Sequence, residues 1–243
     1  MKTSFVILTW NRYQFLEKCI ESLISSIQNP NDCEIVIMDN GSSDNTYNVL
    51  KQYRNNSLIR IILRKKNHGL KAYKRLFWTA KGDHIVVVDD DVLQFPKGID
   101  NIFLDYMKTF DDYGFIALDV IQNEFTNGAK PGLENYANEV REGKTIQRGP
   151  TGGWCACFRK KDFRKIMINF FLINLNMKQG EDGVISHLLN VKLGLKAGIA
   201  KDIFCFHASG PHYAKEYGHL NREIEKYTAS GLQSFVDTYK EYK

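Results

Sequence analysis

Three aspartates in a row, Asp89-Asp90-Asp91, close a run of four β-branched residues at 85–88. Adjacent carboxylates repel one another unless a cation is close. The apolar run that leads into them keeps all three from simply facing bulk water. Strand alternation puts Asp89 and Asp91 on one side and Asp90 on the other. Hard oxygens of this kind suit Mg²⁺ or Mn²⁺, ions that share carboxylates with the phosphates of a substrate. A solvated turn after a strand is the plainer account. Asp39 also ends an apolar run, followed by Asn40-Gly41. Its carboxylate suits the N3–H of a uracil ring, or the closing of an Asx turn. Glu181-Asp182 opens an apolar helical stretch. Charge at a helix N-terminus explains it, and so does a general base for an acceptor hydroxyl. His207 and His212 flank a short Ala-Ser-Gly-Pro segment. Imidazole ligates Mn²⁺ beside carboxylates, which makes His207 a candidate ligand and His212 a weaker one. In Gly152-Gly153-Trp154 the glycines permit close backbone approach, and the indole serves either a sugar ring or the core.

These residues need a scaffold that brings them together. Apolar runs at 4–9, 34–38, 59–63 and 85–88 read as strands. Helical spacing at 13–27, about ten residues after Ser42-Ser43-Asp44, and 69–79 fills the gaps between them. This alternation predicts an α/β fold with a mostly parallel sheet and helices on both faces. Ligands of such sheets bind beyond the carboxyl ends of the strands. Thr9-Trp10-Asn11-Arg12, Asp39-Asn40-Gly41-Ser42 and the aspartates all sit at such ends, so they are expected on one edge. Further on, 98–110 reads as a helix, 115–121 as a strand and 122–150, with Gly128, as a polar loop. A strand is expected at 154–158, helices at 161–171 and 181–193, and one helix over 221–242. We expect a single domain over 1–243, with a nucleotide-binding half at 1–95 and a smaller acceptor-side half at 96–243.

Composition narrows the class. The 243 residues are 43% hydrophobic, enough for a substantial core. No apolar run approaches the roughly 20 residues of a membrane span, and the first residues lack the pattern of a signal peptide. Five cysteines form no CxxC pair, which fits reduced core thiols. A cytoplasmic protein is expected. The net charge of +5 is modest, but basic residues gather at 60–75 and 159–165. A solvated face explains them, or attraction of a polyanion or diphosphate.

Taken in order, these motifs resemble the family 2 glycosyltransferases of GT-A fold, from the first strand to about residue 212. Thr9-Trp10-Asn11-Arg12 is similar to the family's T-x-N-R. Asp39-Asn40-Gly41-Ser42-Ser43-Asp44-Asn45-Thr46 is similar to D-[ND]-G-S-x-D-x-T, and Asn67-His68-Gly69 to N-x-G. Gly82-Asp83 through Asp91 resembles G-D-x-I-x-x-x-D-x-D. Gly152-Gly153 through Arg159 resembles a glycine-led strand ending in arginine, and Glu181-Asp182 the family's E-D. Arg75 stands where the family often has asparagine, and the helix after Asp182 lacks its common second acid and arginine.

The resemblance implies an inverting transferase that takes a sugar from a nucleotide sugar, UDP-linked if Asp39 reads the base. Thr9, Asn11, Arg12, Asp39, Asn67, Gly69, Asp89, Asp90, Gly153 and Trp154 would line the donor site. Asp91, Asp89 and His207 would hold Mn²⁺ or Mg²⁺. Asp182, with Glu181, would supply the base. A surface glycan is the expected acceptor, and a hydroxylated base in DNA is an alternative. A sugar-1-phosphate nucleotidyltransferase is a second alternative, although such enzymes carry a Gly- and Arg-rich loop where this chain has Trp10-Asn11-Arg12. A non-catalytic glycan-binding module is a third, which two retained acidic sites argue against. Oligomeric state is not legible.

Overall fold

The apolar runs of the first ninety residues form one end of a mixed sheet, and their carboxyl ends build the site. The computed structural model describes residues 1–126 and 130–243. β1 (Thr3–Thr9), α1 (Tyr13–Ser26), β2 (Cys33–Asp39), α2 (Thr46–Gln52), β3 (Ile59–Leu63), α3 (Ala72–Thr79) and β4 (His84–Asp89) alternate as expected. β1 is flanked by β2 and β4, both parallel to it. The register sets Thr9 beside Asp39 and Leu8 beside Asp89, and Asp39 beside Leu63 of β3. Three strand-end signatures therefore share one edge. β2 is buried along its whole length, as a central parallel strand with both faces covered must be. α1 buries Phe15, Leu16, Cys19, Ile20 and Leu23, spaced on one face of the helix.

The second part adds β5 (Val92–Gln94), α4 (Ile99–Thr109), β6 (Tyr113–Val120), β7 (Ala137–Arg141), β8 (Lys144–Arg148), β9 (Cys155–Arg159), α5 (Lys160–Leu172), α6 (Glu181–Leu193) and β10 (Lys196–His207). The helices α7 (Pro211–Glu216), α8 (Leu220–Ala229) and α9 (Gln233–Lys240) follow. Among the described residues the sheet order is β3-β2-β1-β4-β9-β6-β10-β8-β7, and β5 pairs with β10. β9 runs antiparallel to both β4 and β6. The main core draws on both parts of the chain, from Phe5 to Cys205. All five cysteines are buried and unpaired. No helix among the described residues is long and apolar enough to cross a membrane.

Several expectations need correction. Residues 122–150 are not only loop, since β7 and β8 form a hairpin there. Its turn, Glu142-Gly143, has φ of 49° and 73°, the left-handed pair that two-residue hairpins favour. One face of β7 is open to solvent, so its polar residues hid the strand. Gly128 lies outside the described residues. The tail is not one helix: α8 and α9 are separated at Ser230–Leu232, and they pack against each other through Ile224, Val236 and Tyr239. α2 has seven residues rather than about ten, and the first turn of the third helix, Gly69–Lys71, is 3₁₀.

Arg159 ends β9 at the edge far from the aspartates. It is 8% exposed. Its guanidinium donates to the carbonyls of Tyr113 and Met107 and lies 3.5 Å from Asp162. It thus satisfies carbonyls at the end of α4 and the start of β6. Replacing it orphans buried acceptors and leaves Asp162 with Lys165 alone. We expect Arg159→Met to lower stability by about 3 kcal/mol. A urea midpoint equal to that of the unaltered chain would refute this account.

Candidate active site

At the end of β4 the backbone turns directly into β5, and the three carboxylates crowd this turn. Asp90 and Asp91 are 4% and 6% exposed, while Asp89 is more open. Arg12, the residue that caps α1, reaches across to them. Its Nη1 donates to Asp90 Oδ1 at 2.7 Å and its Nη2 to Asp91 Oδ2. Its Nε lies 3.7 Å from Glu223. Burial alone would expel the arginine's proton, but these carboxylates outweigh it and hold the charge firmly. Arg12 was expected to line the nucleotide pocket. It does border the cavity, as the buried counter-charge of the aspartates.

His207 arrives from the opposite end of the sequence. β10 carries Asp202 at a φ of 62°, and its register with β6 shifts between Ala200 and Phe204. Pairing with β6 resumes at Phe204 and Cys205, and the last two residues then leave the main sheet. They pair instead with β5, setting His207 opposite Val92, and the Ala208 N–H donates to the Asp91 carbonyl at 2.9 Å. His207 Nε2 then lies 3.0 Å from Asp91 Oδ1 and 3.7 Å from Asp89 Oδ2. Asp89 and Asp91 share a side, as alternation required.

The electrostatics describe a site built around positive charge. Loss of water, followed by the charges of Asp91 and Asp90, pushes the Asp89 carboxyl up to about 7 against the pull of His207. Burial also raises Asp90, despite Arg12. Burial works against ionised Asp91, but Arg12 and His207 hold it well below the usual carboxylate range. Burial likewise opposes the imidazolium of His207, and Asp91 and Asp89 overcome it. An oxygen from each of Asp89 and Asp91 and a ring nitrogen of His207 lie within 4.8 Å of one another. Two hard oxygens and an imidazole fit Mn²⁺ or Mg²⁺.

The neighbouring loops divide into residues that face the cavity and residues that fix its wall. Thr9, Asn67 and Gly69 border it. Asp39 accepts the Ser42 N–H at 2.9 Å through Oδ1, closing an Asx turn. Asn11 has a φ of 53°. Its Oδ1 accepts the Ser43 N–H at 2.7 Å, and its own N–H donates to Ser42 Oγ at 2.9 Å. Asn11 therefore laces the β1 and β2 loops together. Asn40, which borders the cavity, ties in the third loop: its Nδ2 donates to Asn67 Oδ1 at 2.8 Å and its Oδ1 accepts the His68 N–H. Gly41, at a φ of +81°, lets these loops touch, because a Cβ would sit 2.6 Å from the Lys66 carbonyl carbon.

On the other side of the cavity stands the start of α6. Glu181 is 6% exposed and borders the cavity beside Tyr73. Burial first, then Asp182 and Asp89, push its carboxyl well above the usual carboxylate range. Asp182 is fixed by two backbone donors, Gly153 N–H to Oδ2 at 2.8 Å and Gly183 N–H to Oδ1 at 2.6 Å. A Cβ on Gly153 would lie 3.1 Å from that of Asp182, so Gly153 serves Asp182 by close approach. Trp154 departs from the expectation of a sugar platform. It is 5% exposed, packs in the main core, and donates from Nε1 to the Leu118 carbonyl at 2.9 Å. No face of the indole is left for a ligand.

With this geometry in hand, comparison with known proteins decides the family. The model of glycosyl transferase family 2 matches residues 4–167. This chain belongs to that family. It is 33% identical over 184 residues to a dolichol-phosphate mannosyltransferase of Pyrococcus furiosus, covering 74% of this chain and 48% of that protein. It is 28% identical over 106 residues to the poly(ribitol-phosphate) beta-N-acetylglucosaminyltransferase TarP of Staphylococcus aureus, covering 42% of this chain and 32% of the relative. The chain thus spans about half the length of these relatives or less. The fold matches S. aureus TarS 1-349 in complex with UDP-GlcNAc, with a TM-score of 0.66, 14% identity and coverage of 94% of this chain and 66% of that one. It matches the mannosyltransferase PcManGT of Pyrobaculum calidifontis, in complex with GDP-Man and Mn²⁺, with a TM-score of 0.65, 14% identity and coverage of 99% and 73%. The architecture is of GT-A type.

The cavity of this family 2 chain, about 810 Å³, also has a wall that sequence reasoning missed. α8 contributes Arg222, Glu223 and Lys226. Glu223 is 3% exposed and is paired with Arg222 and Lys226. Burial would raise its carboxyl, but Lys226, Arg12 and Arg222 bring it down to about 2. Arg222 donates to the Trp10 carbonyl at 3.1 Å and lies 5.0 Å over the Trp10 ring. In sequence, Arg222-Glu223 followed by Lys226 reads as an ordinary solvated helix face, and only burial distinguishes it.

His219, which leads into α8, packs against Phe15 with the rings tilted and their centroids 5.0 Å apart. Burial, then Arg12 and Arg222, lower its pKa from 6.5 to about 4. Between those values the unfolded chain binds the extra proton, so stability present above 6.5 is lost as pH falls toward 4. Urea midpoints measured across that window should fall in the unaltered chain and fall less in His219→Phe. Parallel profiles would show that His219 does not titrate against the fold.

Proposed function

We propose that this chain transfers a sugar from a nucleoside diphosphate sugar to the hydroxyl of a glycan acceptor, with inversion at the anomeric carbon. One observation carries the reading: Asp89, Asp91, His207 and Glu181 all border one cavity, and Asp182 follows Glu181 at the start of α6. A cation bound by Asp89, Asp91 and His207 would supply positive charge to the departing diphosphate. Asp182, aimed by the N–H groups of Gly153 and Gly183, accepts the proton of the acceptor hydroxyl. Glu181 beside it has its carboxyl pushed up by burial, which disfavours a second charge there. Thr9 and Asn67 border the donor end of the cavity, and the Asp39 oxygen not engaged by Ser42 suits the N3–H of a uracil. The TarS complex with UDP-GlcNAc supports a uridine donor, and the name of TarP supports a surface-glycan acceptor. Five buried, unpaired cysteines suit the cytoplasm, where thiols stay reduced.

The test uses a panel of nucleotide sugars with and without Mn²⁺. Asp182→Asn should lower turnover by roughly 10²–10⁴-fold while leaving the donor's thermal shift intact. Turnover equal to that of the unaltered chain would remove Asp182 from the mechanism. In a second experiment, Asp91→Asn should abolish the part of the donor's thermal shift that depends on Mn²⁺. A shift that survives both chelator and this substitution would rule out the cation role.

A further inference from the structure

The basic segments noted in the sequence lie outside the catalytic cavity. Lys71, Lys74, Arg75 and Trp78 recur at i, i+3, i+4 and i+7, a single stripe on one face of the third helix. Ile168, Phe171 and Leu172 form a matching stripe on α5. Trp78, Ile168 and Leu172 are 63%, 72% and 80% exposed. Trp78 meets Phe171 edge to face, with ring centroids 6.4 Å apart. Between the stripes runs a groove of about 660 Å³, with Arg64 and His68 also on its border. The surface is held in shape, because Lys74 Nζ donates to the carbonyls of Phe171 and Ile173 at 2.9 and 2.7 Å.

Charge singles out the same face. Residues 64–75 contain six lysines and arginines and no acid. Residues 160–172 add four, against one acid, Asp162, which is buried. Together they carry more positive charge than the whole chain's net +5, so the remainder is net negative. The occupant must therefore be anionic and must also accept exposed aliphatic and aromatic side chains. A second copy fails the first condition, since a symmetric contact sets cation against cation. A linear polyanion meets the first and leaves Ile168 and Leu172 unused. A bilayer of anionic lipids meets both: apolar side chains enter the headgroup–acyl boundary while lysine and arginine stay at the phosphates.

We propose that this face docks on an anionic membrane surface, with Trp78, Ile168, Phe171 and Leu172 inserted and Lys71 and Arg75 at the lipid phosphates. The docking has a consequence for the cavity. Gly69 and Leu70, just before Lys71, and Leu175 to Met177, just after α5, border it. A docked chain holds that side of its cavity near the plane of the membrane, where a lipid-linked or membrane-bound acceptor is concentrated. The docking itself does not rest on the sugar-transfer reading, and it is tested without turnover.

The whole chain is sedimented with phosphatidylcholine vesicles, with and without phosphatidylglycerol. Anionic vesicles should pellet it at least about tenfold better than neutral ones. Tryptophan emission should shift to the blue on binding, and Trp78→Phe should pellet normally without most of that shift. Lys71→Glu with Arg75→Glu should abolish pelleting. Ile168→Ser with Leu172→Ser should leave weak binding that moderate salt removes, while the unaltered chain is partly retained. All five substituted positions are exposed, and an unchanged thermal midpoint confirms folding. Equal pelleting on neutral vesicles would overturn the proposal. So would serine variants that bind as well as the unaltered chain, a dimer in sedimentation velocity that these substitutions dissolve, or a DNA duplex bound more tightly than the vesicles and unaffected by the serine changes.

Discussion

Mutual repulsion among the carboxylates at the buried end of β4 is the constraint that organises this molecule. Three adjacent acids leave water together, and each needs positive charge within a few ångströms. Arg12 meets that need for Asp90 and Asp91, and His207 for Asp91 and Asp89. The placement of Arg12 is otherwise costly, because the N-terminus of a helix favours anions and α1 has no acid in its first turn. The aspartates make that position tenable. The demand then spreads outward: Arg12 also faces Glu223, and Glu223 binds Arg222 and Lys226. In this way α8 is tied electrostatically to the first strand-end loop.

Strand direction explains the rest of the arrangement. The parallel β1, β2, β3 and β4 all finish on one edge, so their loops gather there without any long connection. β9 is antiparallel to β4 and therefore begins where β4 ends, with the Asp89 N–H donating to the Trp154 carbonyl at 2.9 Å. That reversal delivers Gly153 to Asp182 at the edge of the aspartates and sends Arg159 to the opposite one, where it closes the end of α4. β10 serves two sheets by bending at Asp202, and only the second pairing brings His207 to Asp91.

Much of this was readable from residue pattern. The strands β1 to β4, α1 and α6 follow from apolar periodicity, and the shared edge follows from βα alternation. Alternation also grouped Asp89 with Asp91, although Asp90 meets the same guanidinium as Asp91. Side-chain chemistry that serves two purposes was not resolvable in this way. Asp39 and Asn11 carry groups suited to a nucleotide, and both engage backbone N–H groups of the β2 loop. Trp154 has a ring suited to a sugar, and the core claims it. The β7–β8 hairpin stayed hidden because one of its faces is wet, and β10 because Lys201-Asp202 interrupt its apolar run at the bend. For Arg222, Glu223 and Lys226, local spacing describes a surface helix, and only tertiary burial gives them a role.

The bent β10 also bears on the order in which a ribosome makes the site. His207 follows Asp91 by 116 residues, and Glu223 comes later still. Arg12 and the three aspartates, by contrast, are all synthesised within the first 91 residues. A nascent chain that folds from its N-terminus therefore has the arginine in hand when its acidic turn emerges, long before the imidazole exists. Synthesis thus supplies Arg12 before the acidic turn and His207 only after it.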